Sequence, residues 1–138
     1  MIPLGPGLEF HHVGVACLDI DAEFERLRPL GYRVEGEAFE DPLQGVRGVF
    51  LTGQSPRLEL LQSLEGTPRG VLSPWLERGA KLYHLAYVAE GLQHWIDRFR
   101  GERAKLVAPP MPAVAFGGRD IAFVMLRSGV LVELVARG

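Results

Sequence analysis

The chain has 138 residues, of which 47% are hydrophobic, and its formal net charge is −2. This length suits a single domain that buries an apolar core, and the single cysteine, Cys17, excludes an internal disulfide bond. No basic run stands out, which argues against a nucleic-acid partner. No apolar stretch approaches the roughly 20 residues that cross a bilayer, and residues 1–7 lack a signal-peptide pattern. We therefore expect a cytoplasmic protein with no membrane partner.

The first half of the sequence predicts a strand, a helix and three further strands. Residues 10–16 are mostly apolar, as is typical of a buried strand. A helix is expected next, because Asp21 can cap its N-terminus and Gly31 can end it. Three short strand-like runs, separated by turn residues, follow at 32–36, 46–52 and 57–62.

The second half repeats this order. Residues 82–88 form another apolar run, and a helix with apolar residues at i, i+3, i+4 and i+7 follows it. The apolar positions of that helix are Leu92, Trp95, Ile96 and Phe99. Three more strand-like runs lie at 104–107, 120–126 and 130–136. Residues 109–112 are rich in proline and are expected to form a stiff loop.

Each half therefore reads β-α-β-β-β, and this repeat organises the chain. We interpret residues 1–138 as a single α+β domain, with a first module at about 9–65 and a second module at 82–138. The segment 66–81 joins the modules and is expected to hold a short helix at 74–78.

One histidine and one glutamate occupy equivalent positions in the two modules. His12 and His84 lie in the first strand of their modules, and Glu59 and Glu133 lie in the last. Glu59 follows His12 by 47 positions, and Glu133 follows His84 by 49. Two pairs in register are harder to attribute to chance than one pair would be.

The two glutamates lie in strands that are too apolar for an uncompensated charge. Valines and leucines flank Glu133, and leucines flank Glu59. An ionised carboxylate in such a strand costs several kcal/mol unless a cation or a metal ion compensates it. Because side chains alternate between strand faces, the small Gly14, Ala16 and Ala86 share faces with the histidines and would leave room for a ligand. Two imidazoles and two carboxylates that converge suit a divalent metal ion.

These residues resemble the vicinal oxygen chelate superfamily, which includes glyoxalases, bleomycin resistance proteins and dioxygenases. Within it, the sequence is most similar to the methylmalonyl-CoA epimerases. The matching segments cover nearly the whole chain and are Phe10–Ala16, Gln44–Val46, Leu58–Leu61, Ser73–Leu76, His84–Ala86, Gly118–Phe123 and Gly129–Leu134. The last of them and the two histidine motifs are the most specific pieces.

The resemblance implies an eight-stranded mixed sheet that curls into a U around a metal-binding cleft. It implies that His12, Glu59, His84 and Glu133 bind one divalent ion, which in this family is commonly cobalt, manganese, nickel or zinc. It also implies a homodimer that acts on a small molecule, with an acyl-CoA as the candidate substrate.

The activity that the resemblance implies is epimerisation of an acyl thioester such as methylmalonyl-CoA, by removal of its α-proton. Glu133 is our first candidate for a ligand that also moves protons, and Glu59 is the second. Some epimerases carry a further catalytic glutamate a few residues after the Gln-Gly-Val piece. That position is Gly48 in this sequence, so the sequence does not identify a second base.

Four alternatives stay open. A lyase similar to glyoxalase I would use a comparable ligand set, although its typical Phe-Tyr helix signature is absent. A ring-cleaving dioxygenase would need two histidines and one carboxylate around iron, and Glu59 as a fourth ligand counts against it. A protein that sequesters a small molecule without catalysis would not need the His–Glu set, which is intact. Another enzyme of the superfamily, acting on an unknown oxygenated substrate, is the fourth alternative.

Contacts to a bound thioester are expected beyond the metal ligands. Candidates for the acyl pocket are Phe116, Trp75 and Met111, although core packing is the better interpretation of Trp75. Candidates for the phosphates of CoA are Arg69, Arg78, Lys81 and Arg119, although scattered surface arginines are usually just solvated. Gly117 and Gly118 would let the backbone approach a substrate, and a plain turn explains them equally well.

Overall fold

A computed structural model describes residues 7–64, 72 and 82–137 of the chain. The strands are β1 (Leu8–Ala16), β2 (Arg33–Asp41), β3 (Val46–Thr52), β4 (Leu58–Ser63), β5 (Leu82–Ala89), β6 (Lys105–Pro112), β7 (Asp120–Met125) and β8 (Leu131–Ala136). The helices are α1 (Ile20–Leu27) and α2 (Leu92–Gly101).

The protein has an α+β fold with an eight-stranded mixed sheet, as the resemblance implied. The strand order is β2-β3-β4-β1-β5-β8-β7-β6. The pairs β1–β4 and β5–β8 are parallel, and the pairs formed by β2, β3, β6 and β7 with their neighbours are antiparallel. The chain divides into two compact units, residues 12–83 and residues 1–11 with 84–138, and β1 contributes to both.

The unit formed by residues 12–83 packs α1 on one face of its strands. Its buried core consists of Val15, Cys17, Ile20, Tyr32, Val49, Leu51, Leu58 and Leu60. Phe24 and Leu27 of α1 and Val13 of β1 pack against this core. The apolar residues of β1 at odd positions therefore face the helix, which leaves its even positions for the opposite face.

The N-terminus of α1 differs from the prediction, because Asp19 rather than Asp21 is the capping residue. Asp19 has an extended backbone, with φ −147° and ψ 112°, and its side chain accepts hydrogen bonds from the backbone N–H groups of Asp21 at 2.9 Å and Ala22 at 3.3 Å. Asp21 already lies in the first turn, where a carboxylate interacts with the helix dipole but cannot cap. A 3-10 helix at Arg28–Leu30 follows α1, and Gly31 ends it with a left-handed φ of 108°.

The unit formed by residues 1–11 and 84–138 packs α2 in the same way. Trp95, Ile96 and Phe99 of α2 are buried, which confirms the predicted apolar side of this helix. They share one core with Ala89, Ala104, Ala122, Val124, Val132 and Leu134. Leu8 packs against this core as well, so the first residues of β1 belong to this unit.

Two strands extend further than the sequence predicts. β2 continues through Gly36 to Asp41. Gly36 has a left-handed φ of 70° and lies where the pairing register with β3 shifts, so the strand passes this irregularity and pairs again. β6 continues through residues 109–112, so the prediction of a stiff loop there was wrong. β6 lies at the edge of the sheet order, where a proline removes no hydrogen bond that the sheet needs. The short helix predicted at 74–78 falls outside the described residues.

Neither helix in the described part of the chain is long and apolar enough to cross a bilayer.

Replacing Asp19 and Asp21 one at a time should show which of them caps α1. We expect Asp19→Ala to lower the free energy of unfolding by about 1 kcal/mol, because two backbone N–H groups lose their acceptor. Asp21→Ala should cost about 0.3 kcal/mol, because it removes only an interaction with the helix dipole. Urea unfolding followed by circular dichroism measures both values, and an equal or larger loss for Asp21→Ala would contradict the assignment.

Candidate metal centre

In the unit of residues 12–83, a histidine and a glutamate meet across two parallel strands. β1 pairs with β4 so that Gly14 lies beside Glu59, and His12 is two residues before Gly14 on the same strand face. His12 Nε2 lies 3.1 Å from Glu59 Oε1. Both residues are buried, with 0% and 4% of their surface exposed. The glycine that was predicted to leave room beside the histidine thus lies next to Glu59 in the strand pairing.

The second unit repeats this arrangement. β5 pairs with β8 so that Ala86 lies beside Glu133, and His84 is two residues before Ala86. His84 Nε2 lies 3.1 Å from Glu133 Oε1, and both residues are buried. The repeat that was predicted from sequence spacing therefore extends to the geometry of each pair.

A phenylalanine lies beside each pair, and neither was among the predicted site residues. Phe50 of β3 lies opposite Glu59, and Phe123 of β7 lies opposite Glu133. Phe50 contacts the His12 ring edge to face, with the centroids 5.2 Å apart, and Phe123 contacts the ring of His84 in the same way at 5.4 Å. Aromatic contacts of this type orient an imidazole and exclude water from it. Aligning the third strands of the two modules could have found both residues.

The donor atoms in the two pairs fit a divalent metal ion. The His12–Glu59 pair and the His84–Glu133 pair each offer one imidazole nitrogen and one carboxylate oxygen as ligand atoms. Imidazole nitrogen and carboxylate oxygen are the usual protein ligands of zinc, cobalt, nickel and manganese. Burying two carboxylates is costly unless positive charge compensates them. Each buried His–Glu pair is therefore consistent with a role in holding a divalent metal ion.

The position expected for a second base is closed by packing. Gly48 of β3 is buried and pairs with Phe39 on one side and Leu61 on the other. A Cβ atom at position 48 would overlap the ring of Phe39 and lie 2.9 Å from Leu61 Cδ2. The absence of a glutamate at Gly48 is therefore coupled to the presence of the Phe39 ring.

The structure describes the local contacts of five candidate substrate-binding residues, Met111, Phe116, Gly117, Gly118 and Arg119, whose roles in binding stay predictions. The N–H groups of Gly117 and Gly118 donate to the carbonyls of Val114 and Ala113, which favours the plain turn over a phosphate-binding loop. Arg119 Nε donates to the Phe116 carbonyl, and its guanidinium lies 5.7 Å above the Phe116 ring. Met111 pairs with Ile121 in the β6–β7 ladder. The other candidates, Arg69, Trp75, Arg78 and Lys81, fall outside the described residues.

Comparisons with known proteins agree with this geometry. A model of the glyoxalase/bleomycin resistance protein/dioxygenase superfamily matches residues 11–123, and the chain belongs to this superfamily, as the sequence motifs predicted. An ethylmalonyl-CoA/methylmalonyl-CoA epimerase from Cereibacter sphaeroides is 29% identical over 130 residues, which cover 90% of this chain and 94% of that protein.

Solved structures are similar over nearly their whole length. The crystal structure of methylmalonyl-CoA epimerase from Mycobacterium tuberculosis is 25% identical, with a TM-score of 0.79 over 100% of this chain and 93% of that chain. A variant of the Streptomyces coelicolor methylmalonyl-CoA epimerase, in complex with 2-nitronate-propionyl-CoA, is also 25% identical. Its TM-score is 0.72, and the match covers 94% of this chain and 97% of that chain.

The contact between position 48 and Phe39 can be tested by a double-mutant cycle. We expect Gly48→Ala to destabilise the protein by about 2 kcal/mol, because the new methyl group overpacks against the ring. In a Phe39→Ala background the same substitution should cost much less. Urea unfolding of the four proteins gives the coupling energy, and a cost that is equal in both backgrounds would show that Phe39 is not the obstacle.

Proposed function

We propose that the chain is a metal-dependent epimerase that acts on an acyl-CoA thioester by removing the α-proton. The observation that carries the proposal is the buried imidazole–carboxylate pair that each unit contains, with its own phenylalanine beside it. The relatives named above support the substrate class, because their names specify methylmalonyl-CoA and ethylmalonyl-CoA as what they act on.

The proposed metal ligands are His12, Glu59, His84 and Glu133, which together bind one divalent ion. When bound, the ion would supply Lewis-acid chemistry that stabilises negative charge on the substrate's oxygen atoms as the α-proton leaves. The family commonly uses cobalt, manganese, nickel or zinc, and all four accept this donor set.

The proton-transfer roles fall to the two glutamates. Inversion at the α-carbon needs removal of a proton on one face and return of a proton on the other. We assign the removal first to Glu133 and place Glu59 second. Gly48 cannot serve as a further base, because it has no side chain that could accept a proton. Phe50 and Phe123 hold the imidazoles in place and keep water from the carboxylates, which limits competing proton exchange.

A lyase of the glyoxalase I type is the second candidate, since the same buried His2Glu2 set suits an enzyme that moves a proton next to a carbonyl group. The intact set also argues against sequestration without catalysis. A homodimer and a cytoplasmic location remain predictions that accompany the proposed function.

Metal content tests the proposed ligand set. The purified protein should contain about one divalent ion per chain. His12→Ala and His84→Ala should each remove most of it, because each unit contributes half of the ligands. His94→Ala is the control, since His94 is an exposed histidine on α2. Mass spectrometry of the elements in each protein gives the stoichiometry, and retention of a full ion by either ligand variant would reject the shared site.

Exchange of the α-proton tests the proposed reaction. In deuterated water the protein should exchange the α-proton of methylmalonyl-CoA, and a chelator should stop the exchange. Glu133→Gln should lower the rate by about 100-fold or more while metal is retained, because an amide cannot accept the proton. Glu90→Gln, at an exposed glutamate of the same unit, should leave the rate unchanged. Nuclear magnetic resonance measures the exchange, and full activity of Glu133→Gln would reject the assigned role.

A further inference from the structure

The ring of Phe39 lies on the same sheet face as the His12–Glu59 pair. Neighbouring residues in a sheet ladder point to the same face. Phe39 pairs with Gly48, Gly48 pairs with Leu61, and Leu61 pairs with Ala16 of β1. Ala16 is four residues after His12 in the same strand, so the whole row shares the face of the imidazole.

An aromatic contact chain connects this row to the pair. The Phe39 and Phe50 ring centroids are 6.0 Å apart, and the Phe50 and His12 centroids are 5.2 Å apart. Most of β2 is exposed, and only Phe39 and Asp41 of this strand are half-buried or buried. Phe39 is therefore the apolar side chain that β2 turns toward the pair, and it has no group that could donate or accept a hydrogen bond.

We propose that Phe39, with Gly48 beneath its ring, forms an apolar subsite that receives the alkyl substituent on the α-carbon of the substrate and limits its size. The inference rests on the proposed function and names the residue that sets the specificity of the same site. A purely apolar wall suits a methyl or ethyl group, whereas it offers nothing to a carboxylate, an amide or a phosphate.

The relation between positions 39 and 48 makes the size of the subsite adjustable. A glycine at 48 lets the Phe39 ring lie directly over the backbone of β3, and a side chain at 48 would push the ring away. Shortening Phe39 therefore enlarges the space beside Phe50, the ring that contacts His12, without changing any proposed metal ligand. Methyl and ethyl substituents differ by one methylene, which a fitted apolar pocket can discriminate by about tenfold or more.

The test compares methylmalonyl-CoA with ethylmalonyl-CoA on the metal-loaded protein. Isothermal titration gives the two dissociation constants, and exchange of the α-proton gives the two rates. We expect Phe39→Ala to raise the affinity for ethylmalonyl-CoA relative to methylmalonyl-CoA by about tenfold, and Phe39→Leu to raise this affinity ratio by less. Val34→Ala is the matched control, because Val34 lies in the same strand, is 45% exposed, and should leave the ratio unchanged. Thermal unfolding shows that each variant is folded.

The outcomes separate this inference from the proposed function. A shift in the binding ratio without exchange of either substrate supports the subsite and rejects the epimerase activity. If the α-proton exchanges but both Phe39 variants keep the affinity ratio within twofold of the wild-type value, the subsite is rejected and the proposed activity is not. Failure of both thioesters to bind the wild type overturns both.

Discussion

The arrangement of each unit depends on the contact between an imidazole and a carboxylate across two parallel strands. His12 reaches Glu59 at 3.1 Å only because β1 and β4 pair with Gly14 beside Glu59. A shift of one residue would turn Glu59 toward the apolar core under α1, where its charge would be costly. The core residues on the other face, such as Val15 and Leu60, hold the register that keeps the carboxylate beside the imidazole.

The second unit contains the same imidazole–carboxylate contact, but the structure around it differs in detail. A small residue stands beside each glutamate, Gly14 in one unit and Ala86 in the other. The helices differ more, because Asp19 caps α1 whereas α2 begins at Gly91 without a side-chain cap. The two units therefore share the His–Glu pair, its edge-to-face phenylalanine and the small neighbour, whereas the N-termini of their helices differ.

Sequence patterns predicted the parts that depend on local periodicity. The apolar runs of β1, β4, β5 and β8 and the apolar spacing in α2 predicted strands and the buried helix face, and the repeated His–Glu spacing predicted the four candidate ligands. The patterns missed features that depend on pairing between distant segments. Phe50 lies beside His12 only through the β3–β4 and β4–β1 ladders, and the prolines of 109–112 stay in a strand only because β6 is an edge. The sequence predicted Asp21 rather than Asp19 as the cap, because both aspartates precede the same apolar run.

The glycine at position 48 bears on the choice between the candidate reactions. Epimerisation needs proton donors and acceptors on both faces of the α-carbon, and a reaction that removes and returns its proton on one face needs a single base. Phe39 and Leu61 occupy the space around Gly48, so a carboxylate could enter there only if the ring moved. If the two proposed glutamates carry the proton transfers, epimerisation therefore needs both Glu59 and Glu133. A single-base reaction could proceed with Glu133 alone, so separate substitution of the two glutamates distinguishes the reaction classes.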